Sequence, residues 1–168
     1  MIKSEDYTVL MAEDSEGYRD PFSRLLKSEG FGVIEALNGE ELYEKAKSYE
    51  DNISKLVILS DTDMPLMMGD EACEKLLEEE KFRRVIMIGM SDNPRNEYAW
   101  EGIGLPHTFI YKDAFICVED FHMNIANRVK NRLETIVNNP KFYWDEDQGI
   151  YKRNWPGKKY DKFCKSLL

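Results

Sequence analysis

The sequence predicts an α/β protein with a doubly wound sheet of five parallel strands and five helices. Short apolar runs of strand length alternate with amphipathic stretches at helical spacing, the pattern of a parallel sheet covered by helices on both faces. The 168 residues, of which 42% are hydrophobic and 33% charged, suit one globular domain with a short appendage. Because crossovers between parallel strands are right-handed, the strict alternation leaves few other topologies.

The predicted strands are Tyr7–Ala12, Gly32–Ala36, Leu56–Ser60, Val85–Gly89 and Thr108–Tyr111. Helices are predicted between them from apolar residues three or four positions apart. The apolar sets are Tyr18, Phe22, Leu25 and Leu26 in the first helix, Ala72, Leu76 and Leu77 in the third, and Phe121, Ile125, Val129, Leu133 and Ile136 in the fifth. The second helix follows Asn38, with Glu41 as its capping-box partner. The fourth is short, around Asn96–Glu101, and the fifth runs from about Val118 to Val137.

Charge and composition argue against several classes of protein. The net charge of −9 disfavours generic nucleic-acid binding, since phosphate contacts come from lysine and arginine. No apolar run approaches the roughly 20 residues that span a membrane, and the N-terminus lacks a signal peptide's apolar stretch, so a cytoplasmic location is expected. The three widely spaced cysteines and two histidines form no zinc or disulfide pattern.

Ionisable and hydroxyl side chains follow four of the predicted strands. The first strand ends in Glu13-Asp14, the third in Ser60-Asp61-Thr62-Asp63, the fourth in Gly89-Met90-Ser91 and the fifth in Tyr111-Lys112. Binding sites in doubly wound sheets form at the carboxyl ends of the strands, so these side chains are expected to converge on one rim.

Such a cluster of carboxylates predicts a divalent cation. Clustered carboxylates raise one another's pKa values unless a cation neutralises them. Mg2+ fits, because it keeps several waters and takes one or two carboxylates together with phosphate oxygens. Transfer of a phosphoryl group to a carboxylate needs a nucleophile, charge neutralisation on the equatorial oxygens, and positioning. The metal, Lys112 and the Ser91 hydroxyl can supply the last two.

The run Asp61-Thr62-Asp63-Met64-Pro65-Leu66-Met67-Met68-Gly69 resembles the D-x-x-M-P-x-M-D-G segment of response-regulator receiver domains. Ser91 follows Asp61 by thirty positions, as the receiver hydroxyl does, and Lys112 comes at the expected distance. The resemblance covers roughly residues 7–138 and is to single-domain, chemotaxis-type receivers. It implies a flavodoxin-like receiver fold in residues 1–139, a C-terminal extension in residues 140–168, and a signalling protein rather than a classical enzyme.

The resemblance also implies roles for individual residues. Asp61 is the phosphoacceptor and also a Mg2+ ligand, Asp14 binds the ion directly, Glu13 binds it through water, and the Asp63 backbone carbonyl completes the protein ligands. Ser91 swings toward the phosphoryl group, and Phe109 is the switch aromatic that turns inward with it. The implied partners are a sensor histidine kinase or phosphotransfer protein, and a downstream protein or second copy that meets the face made by the fourth helix, fifth strand and fifth helix.

Three positions depart from the family pattern. Lys112-Asp113 replaces the usual Lys-Pro with its cis peptide bond, and a trans bond is expected because a cis bond before a non-proline residue costs about 2.5–4 kcal/mol. Met68 replaces the usual aspartate before Gly69, and Asp92 replaces a small residue after Ser91. These departures leave open a pseudo-receiver that acts without phosphorylation.

A second alternative comes from another class of protein. Asp61-x-Asp63 also resembles the D-x-D nucleophile and acid of haloacid-dehalogenase-like phosphatases. There the motif normally ends the first strand of the core, whereas here it ends the third and is followed by Met64-Pro65.

The last 29 residues differ in character from the rest. They hold seven aromatic residues, and seven Lys or Arg against four acids, so that the tail carries +3 and the remainder −12. The pattern from Lys141 to Trp155 predicts a strand, a turn and a strand. Because a lone hairpin is marginal in water, the tail is expected to dock on its own domain, on a second subunit or on a partner, with Trp144 and Trp155 as anchors. Its basic and aromatic mix also permits weak nucleic-acid contact.

Overall fold

The computed structural model describes residues 2–103, 109–112 and 125–138, together with the backbone of residues 144–145 and 150–151. Within these residues, strands and helices alternate as the sequence predicts. The strands are β1 (Thr8–Ala12), β2 (Gly32–Ala36), β3 (Leu56–Asp61), β4 (Ile86–Ser91) and β5 (Phe109–Tyr111). The helices are α1 (Glu16–Ser28), α2 (Gly39–Lys47), α3 (Gly69–Leu77), α4 (Glu97–Gly102) and α5 (Ile125–Asn138).

The five strands form one parallel sheet in the order β2-β1-β3-β4-β5. Its register aligns the carboxyl ends of neighbouring strands: Ala12 lies opposite Ser60, Asp61 opposite Met90, and Ser91 opposite Tyr111. The residues that leave these strands therefore meet at one edge of the sheet. The predicted doubly wound α/β architecture is confirmed.

Apolar side chains fill both faces of the sheet. All six residues of β3 are buried, which explains why its first four, Leu56–Leu59, form a continuous apolar run rather than an alternating one. On one face, alternate β3 residues such as Val57 and Leu59 pack with Leu26 of α1 and Val129 of α5. On the other, Ile58 packs with residues of α2, α3 and α4, including Leu42, Leu76 and Trp100.

Hydrogen bonds shift several predicted boundaries by one or two residues. β4 begins at Ile86 and not at Val85, because the Val85 N–H donates to the Phe82 carbonyl in a preceding turn. Helix α4 begins at Glu97, since Pro94–Asn96 form a separate 3-10 turn. The Asn38 side chain caps α2 by accepting from the Glu41 N–H at 2.9 Å, as predicted. Glu41 reaches back one residue further than expected, to the Leu37 N–H at 3.2 Å.

Several predictions fall partly or wholly outside the described residues. They include Thr108, the start of the fifth helix before Ile125, the Lys112–Asp113 peptide bond, both histidines and most of the tail. Within the tail, the backbones of Trp144–Asp145 and Ile150–Tyr151 pair as antiparallel strands, in the segment for which the sequence predicts a strand, a turn and a strand. In the described part of the chain, none of the helices combines the length and the apolar character that a bilayer crossing requires.

Candidate functional site

Three carboxylates meet at the carboxyl edge of the sheet. Glu13 and Asp14 follow β1, and Asp61 is the last residue of the neighbouring strand β3. One oxygen of each lies within 4.8 Å of the others. The Glu13 and Asp61 side chains are buried, whereas Asp14 is exposed. The cluster therefore has a protein-facing side and a side open to an incoming group.

Lys112 supplies a buried positive charge to this cluster. Its Nζ lies 2.7 Å from Asp61 Oδ2 and 2.8 Å from Glu13 Oε2, and its side chain is only 5% exposed. The Lys112 backbone N–H donates to the Ser91 carbonyl at 2.8 Å, which extends the β4–β5 pairing by one residue. This bond fixes the backbone of Lys112, and its side chain extends to place the ammonium against Asp61 and Glu13.

Burial and charge oppose each other at these groups. Desolvation raises the pKa values of Glu13 and Asp61, and the hydrogen bonds from Lys112 offset this only in part. Burial alone would lower the pKa of Lys112, but its bonds to Asp61 and Glu13 together raise it. The lysine is therefore firmly protonated, while burial makes the ionised form of both carboxylates costly in free energy.

The donor set fits a hard divalent cation. One ammonium faces three carboxylates in the described cluster, so that a charge of −2 is left when all three are ionised. Carboxylate oxygens are the ligands that Mg2+ prefers in proteins, and the exposed Asp14 leaves room for the waters that this ion keeps. The cluster Glu13, Asp14 and Asp61 could therefore hold a metal ion.

Ser91 lies at the end of β4 and is 1% exposed. Its Oγ accepts two hydrogen bonds, each of 3.0 Å, from the Asn93 N–H and from Asn96 Nδ2. Asn96 Nδ2 also contacts the Asp63 carboxylate. The Asp63 side chain thus points toward the β4–α4 connection and is outside the cluster of possible metal ligands.

The sequence of residues 9–112 matches the family model of the response regulator receiver domain. The chain belongs to this family. The matched segment holds all three clustered acids, Ser91 and Lys112, and it runs from the second residue of β1 to the residue after β5.

Known proteins resemble this receiver domain over most of its length. It is 29% identical over 133 residues to "Histidine kinase P4" of Formosa agariphila, covering 79% of this chain and 9% of the kinase. It is 34% identical over 83 residues to "Chemotaxis protein CheY" of Treponema pallidum, covering 49% of this chain and 56% of that protein. The chain thus spans less than two thirds of both curated relatives.

A solved structure shares the fold. The complex of CheX with CheY, BeF3 and Mg2+ from Borrelia burgdorferi contains a chain that is 24% identical, with a TM-score of 0.60. The match covers 78% of this chain and 89% of that one. At this level of identity the likeness shows the CheY-like, flavodoxin-like fold.

Phe109, the predicted switch aromatic of the receiver domain, already points inward. It is 4% exposed and packs edge-on against the half-buried Tyr111, with ring centroids 5.3 Å apart. The Tyr111 hydroxyl donates to Glu97 Oε2 at 2.8 Å and so joins β5 to α4. The packing of β5 therefore places the Phe109 ring inside the core and links its neighbour Tyr111 to α4.

Two residues that the sequence analysis did not identify make hydrogen bonds that position the cluster. Arg19 of α1 donates from Nη1 to the backbone carbonyls of Glu13 and Asp14, at 3.1 and 3.2 Å, and so fixes the turn that carries both acids. Trp100 of α4 donates from its indole to Thr62 Oγ1 at 2.8 Å, directly beside Asp61. The sequence could have indicated Arg19, because an arginine near the acidic pair in the first helix is visible there. It could not have indicated that Trp100 contacts Thr62, because that contact depends on how α4 packs.

Two glycines are required by close approach. A Cβ on Gly69 would lie 1.8 Å from the Asp61 carbonyl oxygen, and a Cβ on Gly89 would lie 2.3 Å from the Trp100 ring. Gly69 is thus the residue that lets α3 begin against the end of β3, and Gly89 is the one that lets the indole reach Thr62. This accounts physically for the glycine that closes the motif beginning at Asp61.

The raised pKa of Glu13 predicts that its charge destabilises the metal-free receiver domain. A carboxyl group whose pKa is raised by folding contributes stability at low pH, and that stability is lost as the pH rises through the folded-state pKa. Glu13→Gln removes this cost, so we expect the Tm in EDTA near pH 7 to rise by about 2–4 °C. The gain should shrink as the pH falls through the raised folded-state pKa of Glu13 and vanish below the usual pKa of a carboxyl group. Thermal unfolding with the exposed Glu44→Gln as control tests this, and an unchanged or lower Tm would contradict it.

Proposed function

We propose that this receiver domain is a phosphorelay signalling switch that accepts a phosphoryl group on Asp61 in an Mg2+-dependent reaction. The observation that carries the proposal is the Asp61 carboxylate, which is buried, ion-paired to Lys112 at 2.7 Å and clustered with Glu13 and Asp14. A nucleophilic carboxylate, a fixed cation and a site for a metal are the parts that phosphoryl transfer to a carboxylate needs.

In the proposed reaction, an oxygen of Asp61 attacks the phosphorus of a phosphohistidine. The O–P bond forms as the P–N bond breaks, and the electron pair of the broken bond stays on the donor's imidazole. Lys112 remains protonated and neutralises negative charge that develops beside Asp61. The Ser91 hydroxyl then donates a hydrogen bond to a phosphoryl oxygen.

The proposed ligands of Mg2+ are Asp14 and Asp61 through their carboxylates, Glu13 through a water molecule, and Asp63 through its backbone carbonyl. Because the Asp63 carboxylate is engaged by Asn96, a backbone ligand at this position is consistent with the geometry. The ion would supply charge neutralisation on the phosphoryl oxygens. The chain's own acids would then lose the mutual repulsion that their clustering creates.

The proposed output surface is the α4–β5–α5 face, made by Glu97–Gly102, Phe109–Tyr111 and Ile125–Asn138. Movement of Ser91 toward the phosphoryl group would disturb Asn96, which immediately precedes α4. We propose a histidine kinase or phosphotransfer protein as phosphodonor, in line with a relative that is itself a histidine kinase. A downstream protein or a second copy would bind the output face.

We further propose that residues 1–139 form the receiver domain and that residues 140–168 are an extension that senses its state. The paired strands Trp144–Asp145 and Ile150–Tyr151 come after α5 in the chain, and α5 is part of the proposed output face. The cytoplasmic location and the docking of the tail stay predictions.

Stoichiometric labelling tests the proposed function. Incubation of the full chain with acetyl phosphate and Mg2+ should add one phosphoryl group per molecule, as measured by intact-mass spectrometry, and EDTA should prevent the addition. Absence of the adduct under conditions that label a known receiver domain would favour the phosphorylation-independent alternative. Steady turnover of a small phosphate ester at ordinary enzyme rates would favour a hydrolase, although the family match and the place of Asp61 on β3 oppose that alternative.

A further inference from the structure

The Ser91 hydroxyl oxygen accepts from two donors and makes no described hydrogen bond with Asp61. Its Oγ accepts from the Asn93 backbone N–H and from Asn96 Nδ2, both at 3.0 Å. A hydroxyl oxygen has two acceptor lone pairs, so both are engaged. In this arrangement the described partners of the Asp61 carboxylate are the Thr62 N–H at 2.8 Å and Lys112 at 2.7 Å, and Ser91 is not among them.

Asn96 joins three parts of the site. Its amide nitrogen contacts Ser91 at the end of β4 and the Asp63 carboxylate two residues after Asp61. Asn96 is also the last residue of the Pro94–Asn96 turn, directly before α4. The half-buried Asn96 side chain thus connects Asp63 and Ser91, and its backbone leads directly into α4 of the proposed output face.

We propose that Asn96 is a positioning residue that holds Ser91 in the unphosphorylated arrangement. This inference rests on the proposed function, in which Ser91 turns toward a phosphoryl group on Asp61. That turn breaks the Ser91–Asn96 hydrogen bond, so the bond opposes phosphorylation. It also frees Asn96 from the end of β4, which couples the chemistry at Asp61 to the residue directly before α4.

Removal of the Asn96 amide should therefore favour the phosphorylated arrangement. One hydrogen bond of ordinary strength is lost from the unphosphorylated state alone, and a group that biases one of two states shifts their equilibrium by its differential free energy. With BeF3− and Mg2+ as the phosphoryl mimic, we expect Asn96→Ala to tighten binding about two- to tenfold. Asn96→Ser, whose shorter side chain cannot bridge both partners, should act in the same direction.

A double-mutant cycle tests whether Asn96 acts through Ser91. The full chain is titrated with BeF3− at saturating Mg2+ by isothermal calorimetry, as wild type, Asn96→Ala, Ser91→Ala and the double variant, with thermal melts to show that each is folded. The tightening should appear in the wild-type background and vanish in Ser91→Ala. A merely structural role at the start of α4 would give the same effect in both backgrounds.

The outcomes separate this inference from the proposed function. Failure of the folded wild type to bind BeF3− in the presence of Mg2+ would overturn both. Normal binding by wild type, with equal or weaker binding by Asn96→Ala and Asn96→Ser, would overturn the role of Asn96 and leave the function standing. Tightening that persists in the Ser91→Ala background would likewise contradict positioning through Ser91.

Discussion

Asp14→Ala is expected to weaken Mg2+ binding by at least about tenfold. A loss of about tenfold is already typical when a residue that only supports the metal ligands is removed, and Asp14 is proposed to be a ligand itself. Asp14 is the one exposed carboxylate of the cluster, so it faces the side from which a hydrated ion enters. Glu13 and Asp61 are each partly neutralised by Lys112 at 2.8 and 2.7 Å. Since their charge is shared with the lysine, the loss of Asp14 removes the carboxylate most available to the ion.

Trp100 provides the reporter for this titration. Its indole is fully buried and donates to Thr62 Oγ1 at 2.8 Å, next to Asp61. The chain has three tryptophans, so replacing Trp144 and Trp155 with phenylalanine isolates its fluorescence. The matched control is Asp20→Ala, which removes an exposed aspartate of α1 outside the cluster. Equal apparent affinities of Asp14→Ala and Asp20→Ala would remove Asp14 from the ligand set.

The fold and the place of the site could both be predicted from sequence because they depend on regular patterns. Alternation of apolar runs with amphipathic segments fixes a parallel sheet, and a parallel sheet brings the carboxyl ends of its strands together. Glu13, Asp61 and Lys112 each come at a strand end, so their convergence followed without side-chain detail. The observed register confirms this reasoning.

The supporting contacts could not be predicted, because they join segments that no local pattern relates. Trp100 reaches Thr62 across 38 positions, and Asn96 reaches Asp63 across 33. Both bonds depend on where α4 sits over the sheet, which is a property of packing and not of periodicity. The position of Phe109 is similar: its spacing from Lys112 marks it as a candidate switch, but only the packed structure shows which way its ring points.

Asp61→Asn is expected to abolish phosphorylation while the fold is retained. An amide is not a nucleophile toward phosphorus, so the substitution removes the reacting group. Its side-chain oxygen can still accept from the Thr62 N–H, the bond that Asp61 Oδ1 makes at 2.8 Å. Because burial raises the pKa of Asp61, exchanging its charge for a neutral amide should not lower the stability of the metal-free protein.

Intact-mass spectrometry of Asp61→Asn, wild type and Asp20→Asn after incubation with acetyl phosphate and Mg2+ is the most direct test that Asp61 is the acceptor. Thermal melts first establish that all three proteins are folded. We expect one added phosphoryl group on wild type and on Asp20→Asn, and none on Asp61→Asn. Undiminished labelling of a folded Asp61→Asn variant would place the acceptor at another residue and contradict the account.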